Sequence, residues 1–520
     1  MSSTYQFFES VKKGYTFSGE SIKIGRAMLN GEVVENADVF LPLKTMNRHG
    51  LIAGATGTGK TKTLQMISEG LSDASVPVLL LDIKGDLSGI AVAGTPNEKI
   101  NQRAELLGID YQPQGFPVEL LTLSDKPGVR LRATVTEFGP VLLSKILGLN
   151  DTQGGVLALI FKYCDDNKLP LLDLKDFTKV LQYVSNEGKA EIEKDYGKIS
   201  TTSTGTILRK VIELQQQGAN PFFGEPTFEV DDLMRISDDG RGMISILRVT
   251  ELQDRPKLFS TFMLQLLAEL YATCPEEGDL DKPKLVLFID EAHLIFDGAT
   301  KVLVDQIETV VKLIRSKGIG VFFCTQNPMD IPAGVLGQLG LKVQHALRAF
   351  TAVDRKVIKQ TSENYPESAF YKTDQLITQL GIGEALITLL DEKGIPTPLV
   401  HAMLRPPQSR MDVLTDEEVT RLVKNSRLIN KYKDPVDTKS AYELLTEKLS
   451  TAQEQVKEEQ PPRKPIQQPK PQRTTTRKET TIFDNPMVRS ASRTAATMLT
   501  RSLLGVLGLG GTRRRKRSIF

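Results

Sequence analysis

Two short stretches of this chain carry residues whose types and spacing suit chemistry on a polyphosphate. The first is Gly54-Ala55-Thr56-Gly57-Thr58-Gly59-Lys60-Thr61, followed at once by Lys62. The second is Asp290-Glu291, at the end of the apolar run Leu285-Val286-Leu287-Phe288-Ile289. A glycine-rich turn that opens a helix aims several backbone N–H groups and the positive helix end at one volume, which is what phosphate oxygens require. Of the two carboxylates, Asp290 would reach a Mg²⁺ ion held jointly with the Thr61 hydroxyl. Glu291 would polarise a water for in-line attack on a γ-phosphate. A nucleoside triphosphate with Mg²⁺ is therefore the expected ligand. The glycine pattern alone recurs by chance; the two halves together do not.

Both halves need particular elements behind them. Gly50-Leu51-Ile52-Ala53 reads as a short strand feeding the glycine turn, and Lys62-Thr63-Leu64-Gln65-Met66-Ile67 as the helix leaving it. Val76 to Asp82 reads as a fully buried parallel strand, and its polar end Asp82-Ile83-Lys84-Gly85-Asp86 falls where open α/β sheets bind ligands, with charges that line the nucleotide site. Strands at 242–247, 285–289, 319–325 and about 341–347 alternate with helices at 258–271 and 299–316. That alternation predicts an α/β fold with a mostly parallel sheet covered by helices on both faces. Gln326 then sits at the carboxyl end of the strand beside the acidic one, placed either to report on the γ-phosphate and the attacking water or simply to end a strand.

Some 230 residues separate the two halves of the site, more than a minimal nucleotide fold needs, so the chain holds an insertion. Apolar residues at helical spacing run from Pro140 to Lys162, from Asp173 to Val184 and from Ser203 to Leu214. The expected organisation is residues 1–137 as an N-terminal β segment with the first part of the ATPase core, 138–218 as a helical insertion, and 219–410 as the second part of the core. Helices follow at 411–458, the first opened by the capping box Thr415-Asp416-Glu417-Glu418. Residues 459–490, rich in Pro, Gln, Thr, Lys and Arg, read as a disordered linker. Residues 491–520 read as an amphipathic basic tail ending in Arg513-Arg514-Arg515-Lys516-Arg517, with three readings open: contact with an anionic membrane or a partner protein, contact with nucleic acid, or plain solubilisation.

Composition narrows the class. The formal charge of +2 hides an asymmetry, because residues 461–520 hold about 14 Lys and Arg against Glu479 and Asp484, leaving the preceding 460 residues at about −10. An acidic body argues against strong non-specific nucleic-acid binding by its outer surface, though not against a locally basic pore. The three cysteines, Cys164, Cys274 and Cys324, lie in or beside apolar runs without metal-ligand spacing, and His49, His345 and His401 show none either. Without a secretory signal or a long apolar run, a cytoplasmic protein is expected, with peripheral membrane association through the tail as the variant.

Several longer stretches resemble the bacterial HerA-like ATPase family. They are Asp290-Glu291-Ala292-His293-Leu294-Ile295-Phe296, Ile314-Arg315-Ser316-Lys317-Gly318-Ile319-Gly320-Val321, Thr325-Gln326-Asn327-Pro328, and Val335-Leu336-Gly337-Gln338-Leu339-Gly340 with Val343-Gln344-His345-Ala346-Leu347-Arg348-Ala349-Phe350-Thr351. The resemblance spans about residues 20 to 410. It implies a RecA-like P-loop fold in the HerA and FtsK group of ring motors, assembly with itself as a hexamer, and pumping of double-stranded DNA. On matched positions it implies Lys60 on the phosphates, Thr61 and Asp290 on Mg²⁺, Glu291 as the water-activating base and Gln326 as a sensor. Ring motors also supply an arginine across the subunit boundary. Arg348 is the first candidate for that catalytic role, ahead of Arg355, Arg315 and Arg241, and each also has the reading of an ordinary ion-pair partner.

Only about fifty residues precede the glycine turn, where DNA-repair members of the group carry a β-barrel that docks a nuclease, so the nuclease partnership is not expected here. The expected function is Mg²⁺-dependent ATP hydrolysis coupled to DNA translocation. The alternatives are an ATPase that remodels protein and a nucleotide-gated scaffold in which turnover is incidental.

Overall fold

A computed structural model describes residues 3–458 except Asp254, Asp279, Gly298, Thr300, Pro435 and Asp437. The expected linker and basic tail lie outside the described residues. Twelve strands form one mixed sheet: β1 (Ser21–Leu29), β2 (Glu32–Pro42), β3 (Gly50–Ala53), β4 (Val78–Asp82), β5 (Val118–Thr122), β6 (Val129–Arg130), β7 (Ile244–Arg248), β8 (Leu285–Ile289), β9 (Ile319–Thr325), β10 (Leu341–Gln344), β11 (Glu384–Thr388) and β12 (Val400–Leu404). Their order is β2-β1-β12-β11-β10-β3-β9-β8-β4-β7-β5-β6. From β10 to β6 every pairing is parallel, and from β10 to β2 every pairing is antiparallel.

The central strands are uninterrupted apolar runs because both of their faces are covered. Every residue of β3, β4, β8 and β9 is buried. Alternate side chains feed two cores. Leu79, Leu81, Leu287, Ile289 and Phe323 point to one, and Val78, Leu80, Val286, Phe288 and Phe322 to the other. The helix Lys60–Asp73 that follows the glycine turn buries Leu64, Ile67 and Leu71 in the second core.

Residues 135–216 hold five helices, Val135–Ile146, Asp151–Asp166, Leu174–Ser185, Lys189–Tyr196 and Thr201–Gln216. Local chemistry sets their starts. Thr134 with Glu137, Asn150 with Gln153 and Asp173 with Asp176 form reciprocal capping boxes, and Ser200 caps the last helix. The first helix is broken at Gly139, whose φ of 64° and ψ of 173° are not helical, just before Pro140. Leu142, Leu157, Ile160, Phe177 and Val180 from these helices join the same core as Leu79 and Leu287, so this stretch is built onto the sheet and not hung beside it.

At the amino end the structure adds an element that the expected N-terminal β segment lacks. Ser3–Tyr15 is a helix, because Phe7, Val11 and Tyr15 recur every four residues and bury against the second core. At the other end, Asp416–Lys424 and Ala441–Glu458 are helices, the first opened by the Thr415 and Glu418 capping box.

Candidate active site

The glycine turn crosses the carboxyl end of the parallel sheet and is pinned from three sides. Gly54 N–H donates to Thr325 O at the end of β9 (3.2 Å), Ala55 N–H to Ala346 O beyond β10 (2.8 Å), and Gly383 N–H to Thr58 O (3.0 Å). Two glycines are required sterically. Gly59 precedes the helix with φ of 115°, and a Cβ on Gly54 would lie 2.5 Å from His345 Cβ. Gly57 also has a positive φ, 79°, and open space on the side where a Cβ would project. Among the described residues the N–H groups of Gly57 and Gly59 find no acceptor, which leaves them available to phosphate oxygens.

Lys60 is buried, and its Nζ donates to Gly54 O (2.7 Å) and Ala55 O (3.2 Å). Burial, then the nearby Lys84 cation, lowers its pKa, with Glu291 and Asp290 acting the other way. The ammonium therefore waits inside the turn in a site short of negative charge. Thr61 and Lys62 stand half-buried in the first turn of the helix, and Lys62 Nζ donates to Met411 O.

The acidic pair reaches the same edge from β8. Asp290 follows the last strand residue, is 4% exposed, and its Oδ2 has no hydrogen-bond partner. Burial, reinforced by the Glu291 carboxylate and only partly offset by Lys84, pushes its pKa up to about 7. A buried carboxylate only partly offset by a cation leaves room for further positive charge, which a divalent cation would supply. Mg²⁺ takes one or two protein oxygens and completes its shell with water and substrate phosphates. Asp290 and the Thr61 hydroxyl fit that partial set.

Glu291 has a left-handed φ of 46°. Lys84, on the turn after β4, forms an ion pair with its Oε1, and His293 Nδ1 lies 3.2 Å from Oε2 without hydrogen-bond alignment. Gln326 Nε2 reaches Oε1 and Oε2 at 3.4 and 3.5 Å, while its Oε1 accepts from Thr56 Oγ1 (3.2 Å). Gln326 thus touches the glycine turn with one end and the acidic strand with the other. Burial would raise the Glu291 pKa, but Lys84, with help from His293 and Gln326, holds it below the ordinary carboxylate range. These contacts favour the charged form of the carboxylate.

Arg348 is the predicted site residue that the structure does not bring to this cluster within one chain. It is exposed on the segment after β10, where Nη1 donates to Thr378 O (2.7 Å). Arg355 and Arg315 are exposed as well, and Arg241 is engaged by Asp239 and Gly115 O. Of two further participants, sequence reasoning placed one only in part and missed the role of the other. Lys84 was placed at the sheet edge, but its partner was not readable. His345 is fully buried beneath the turn, with Nε2 2.9 Å from Thr63 Oγ1 and Nδ1 2.9 Å from Glu384 O, and burial lowers its pKa to about 4. Its one sequence signal was its place directly after a buried strand.

The pattern that defines the helicase HerA-like C-terminal family matches residues 28–515, nearly the whole chain. This chain belongs to that family. Among curated proteins it is similar to the DNA double-strand break repair helicase HerA of Sulfolobus acidocaldarius, 21% identical over 377 residues that cover 71% of this chain and 67% of that protein. The protein of the same description from Saccharolobus solfataricus is also 21% identical, over 384 residues covering 73% of this chain and 68% of that one. Among solved structures, the plasmid coupling protein TrwB in complex with ADP and Mg²⁺ aligns with a TM-score of 0.49 at 13% identity, covering 78% of this chain and 100% of that one.

Proposed function

We propose that this HerA-like chain is a Mg²⁺-dependent ATPase that works as a ring of identical subunits, a hexamer, and uses hydrolysis to move double-stranded DNA. The observation that carries the reading is the contact chain from Thr56 through Gln326 to Glu291, which ties the glycine turn to the acidic strand at one edge of the sheet although these residues lie hundreds of positions apart in sequence. The free N–H groups of the turn and Lys60 would hold the phosphates. Asp290 and Thr61 would hold Mg²⁺, which when bound neutralises charge on the phosphate oxygens. Glu291 accepts the proton of the attacking water, and Gln326 orients that water against the γ-phosphate. DNA as the polymer rests on family membership and on the description of the similar archaeal proteins as DNA repair helicases. Because the body is acidic, the DNA contact is assigned to the inside of the ring.

The test is ATP turnover by the full chain with and without duplex DNA, beside Glu291→Gln. Glu291→Gln is expected to bind ATP and lose turnover by about 10²- to 10⁴-fold, the usual contribution of a positioned base. Wild-type turnover should rise with duplex length. Stimulation by polypeptide and not by DNA would move the substrate to protein, and normal cellular function of Glu291→Gln would leave only the scaffold.

A further inference from the structure

Glu291 is assigned above to water activation, yet in the structure its carboxylate is occupied at Oε1 and crowded at Oε2. Lys84 pairs with Oε1, His293 crowds Oε2, and Gln326 spans both. The Glu291 side chain is 5% exposed, against 36% for Lys84. Glu291 also has a left-handed φ, which is uncommon outside glycine and marks a backbone held by its surroundings. A base held in this way is not free to meet water.

The element that holds it is itself rigidly built. Asp82, at the end of β4, accepts from the N–H groups of Gly85 (2.6 Å), Asp86 (3.2 Å) and Leu87 (3.2 Å), so the turn carrying Lys84 has a fixed shape. Lys84 also stands close enough to Lys60 for the two cations to repel. Two ammonium groups thus face one phosphate site. One is folded onto backbone carbonyls, and the other leans on the catalytic carboxylate. A γ-phosphate carries the negative charge that both lack. It would attract the more exposed one, Lys84, whose long side chain swings without moving its backbone.

We propose that Lys84 is a latch on Glu291 that the γ-phosphate of a bound triphosphate opens. The proposal rests on the ATPase reading above and deepens it. Without a triphosphate, Lys84 holds the Glu291 carboxylate away from water. With one, the ammonium transfers to the γ-phosphate oxygens and Glu291 is released. The water oxygen then bonds to the γ-phosphorus as the bond to the β–γ bridging oxygen breaks. Glu291 takes the water proton, and ADP departs with the electron pair of the bridging oxygen. Lys84 is a positioning residue before the reaction and a phosphate ligand during it. A bound diphosphate leaves the latch shut, so the site resets by itself when phosphate leaves.

The experiment uses the full chain with Lys84→Met, which keeps side-chain length and removes the charge, and Lys84→Arg, which keeps the charge. Affinities for ADP and for the non-hydrolysable analogue AMP-PNP are measured together with kcat and KM for ATP, and crystals are grown with each nucleotide and Mg²⁺. In Lys84→Met, ADP affinity should stay within twofold of wild type, AMP-PNP affinity should fall about tenfold, and kcat should fall at least thirtyfold. Lys84→Arg should recover a substantial part of kcat. Lys84 should contact Glu291 in the ADP complex and the γ-phosphate in the AMP-PNP complex. The latch is overturned if Lys84→Met turns over within threefold of wild type, if it loses ADP and AMP-PNP affinity equally, or if the Lys84 to Glu291 contact persists with AMP-PNP. Failure of the underlying reading looks different: wild type would bind neither nucleotide, or Glu291→Gln would hydrolyse ATP normally.

Discussion

His345 shows how a single side chain sets the conditions under which the phosphate turn can exist. Its ring joins Thr63 on the helix to the Glu384 carbonyl on β11, and its Cβ occupies the space that makes Gly54 obligatory. No carboxylate reaches the ring; the acceptor is a backbone carbonyl and the nearest charge is the Lys60 cation, so burial wins and the imidazole is held neutral with its pKa near 4. In the unfolded chain a histidine takes up its proton near pH 6.5. Between those values the unfolded state binds more protons, so stability rises with pH across the window from about 4 to 6.5 and is lost as pH falls through it. The steepest contribution is roughly 1.4 kcal/mol per pH unit. Denaturant midpoints at pH 7.5, 6 and 5 should therefore show a shallower pH dependence in His345→Gln than in wild type, whatever the mutation does to absolute stability. An unchanged slope would remove His345 from this role. The sequence could not reveal it, because Thr63 becomes its neighbour only when β10 pairs with β3, and Glu384 only when β10 pairs with β11. The same holds for Lys84 and Glu291, which meet because β4 and β8 are adjacent. By contrast, the glycine turn and the acidic pair were legible as local patterns, and the place of Gln326 followed from reading β9 as a strand.

At the scale of elements, legibility tracked how much of each strand's identity is local. β4, β8 and β9 are buried on both faces and read directly as apolar runs, whereas β11 and β12 were missed because Glu384, Thr388 and His401 interrupt their apolar runs and they earn their strand character from antiparallel neighbours. The N-terminal helix was missed because its apolar face is only three residues. Also invisible in sequence is the strap that residues 405–411 lay across the phosphate-turn helix. Glu69 on that helix is fully buried and accepts from Gln408 N–H (2.9 Å), Ser409 N–H (3.0 Å) and Ser409 Oγ (2.6 Å), with Arg405 at 3.5 Å. Gln65 adds donations to Ser409 Oγ and Arg410 O, and Lys62 to Met411 O. The helix whose first turn faces the nucleotide is therefore tied along its length to the chain leading into the C-terminal helices. Replacing Glu69 by Leu would strand the Gln408 and Ser409 donors and take from Arg405 its carboxylate partner, leaving that guanidinium on the Lys23 and Met66 carbonyls, at a cost of about 3–5 kcal/mol. Equilibrium denaturation should show that loss, and Glu69→Gln, which keeps an acceptor oxygen, should lose less. A Glu69→Leu protein less than 1 kcal/mol weaker than wild type would mean the strap is incidental.

For the whole molecule, the question is whether the phosphate site is complete within one copy of the chain. Lys60, Asp290, Glu291 and Gln326 gather at one edge of one sheet, with Lys84 paired to Glu291 in the absence of a triphosphate. Beyond Lys60 and Lys84, no cation among the described residues is assigned to the charge that builds on the transferring phosphoryl group, a function worth 10³ to 10⁵ in rate where an arginine performs it. Arg348 is exposed and held only by the Thr378 carbonyl, on the segment that leaves β10 beside the phosphate turn, and it adjoins Phe350, which is 87% exposed. A large apolar side chain at that exposure beside an exposed guanidinium suits a surface that another subunit covers. The consequence is a complementation test. Arg348→Ala subunits keep an intact pocket and Lys60→Ala subunits keep an intact arginine, so each alone should be nearly inactive while mixed rings regain a measurable fraction of wild-type ATP turnover. Because only junctions pairing an intact pocket with an intact arginine can work, recovery should depend on mixing ratio and pass through a maximum at intermediate composition. Mixed rings verified by mass that stay inactive at every ratio would place the missing charge elsewhere. A fully active Arg348→Ala homo-oligomer would show that the pocket is complete without the arginine of a neighbour.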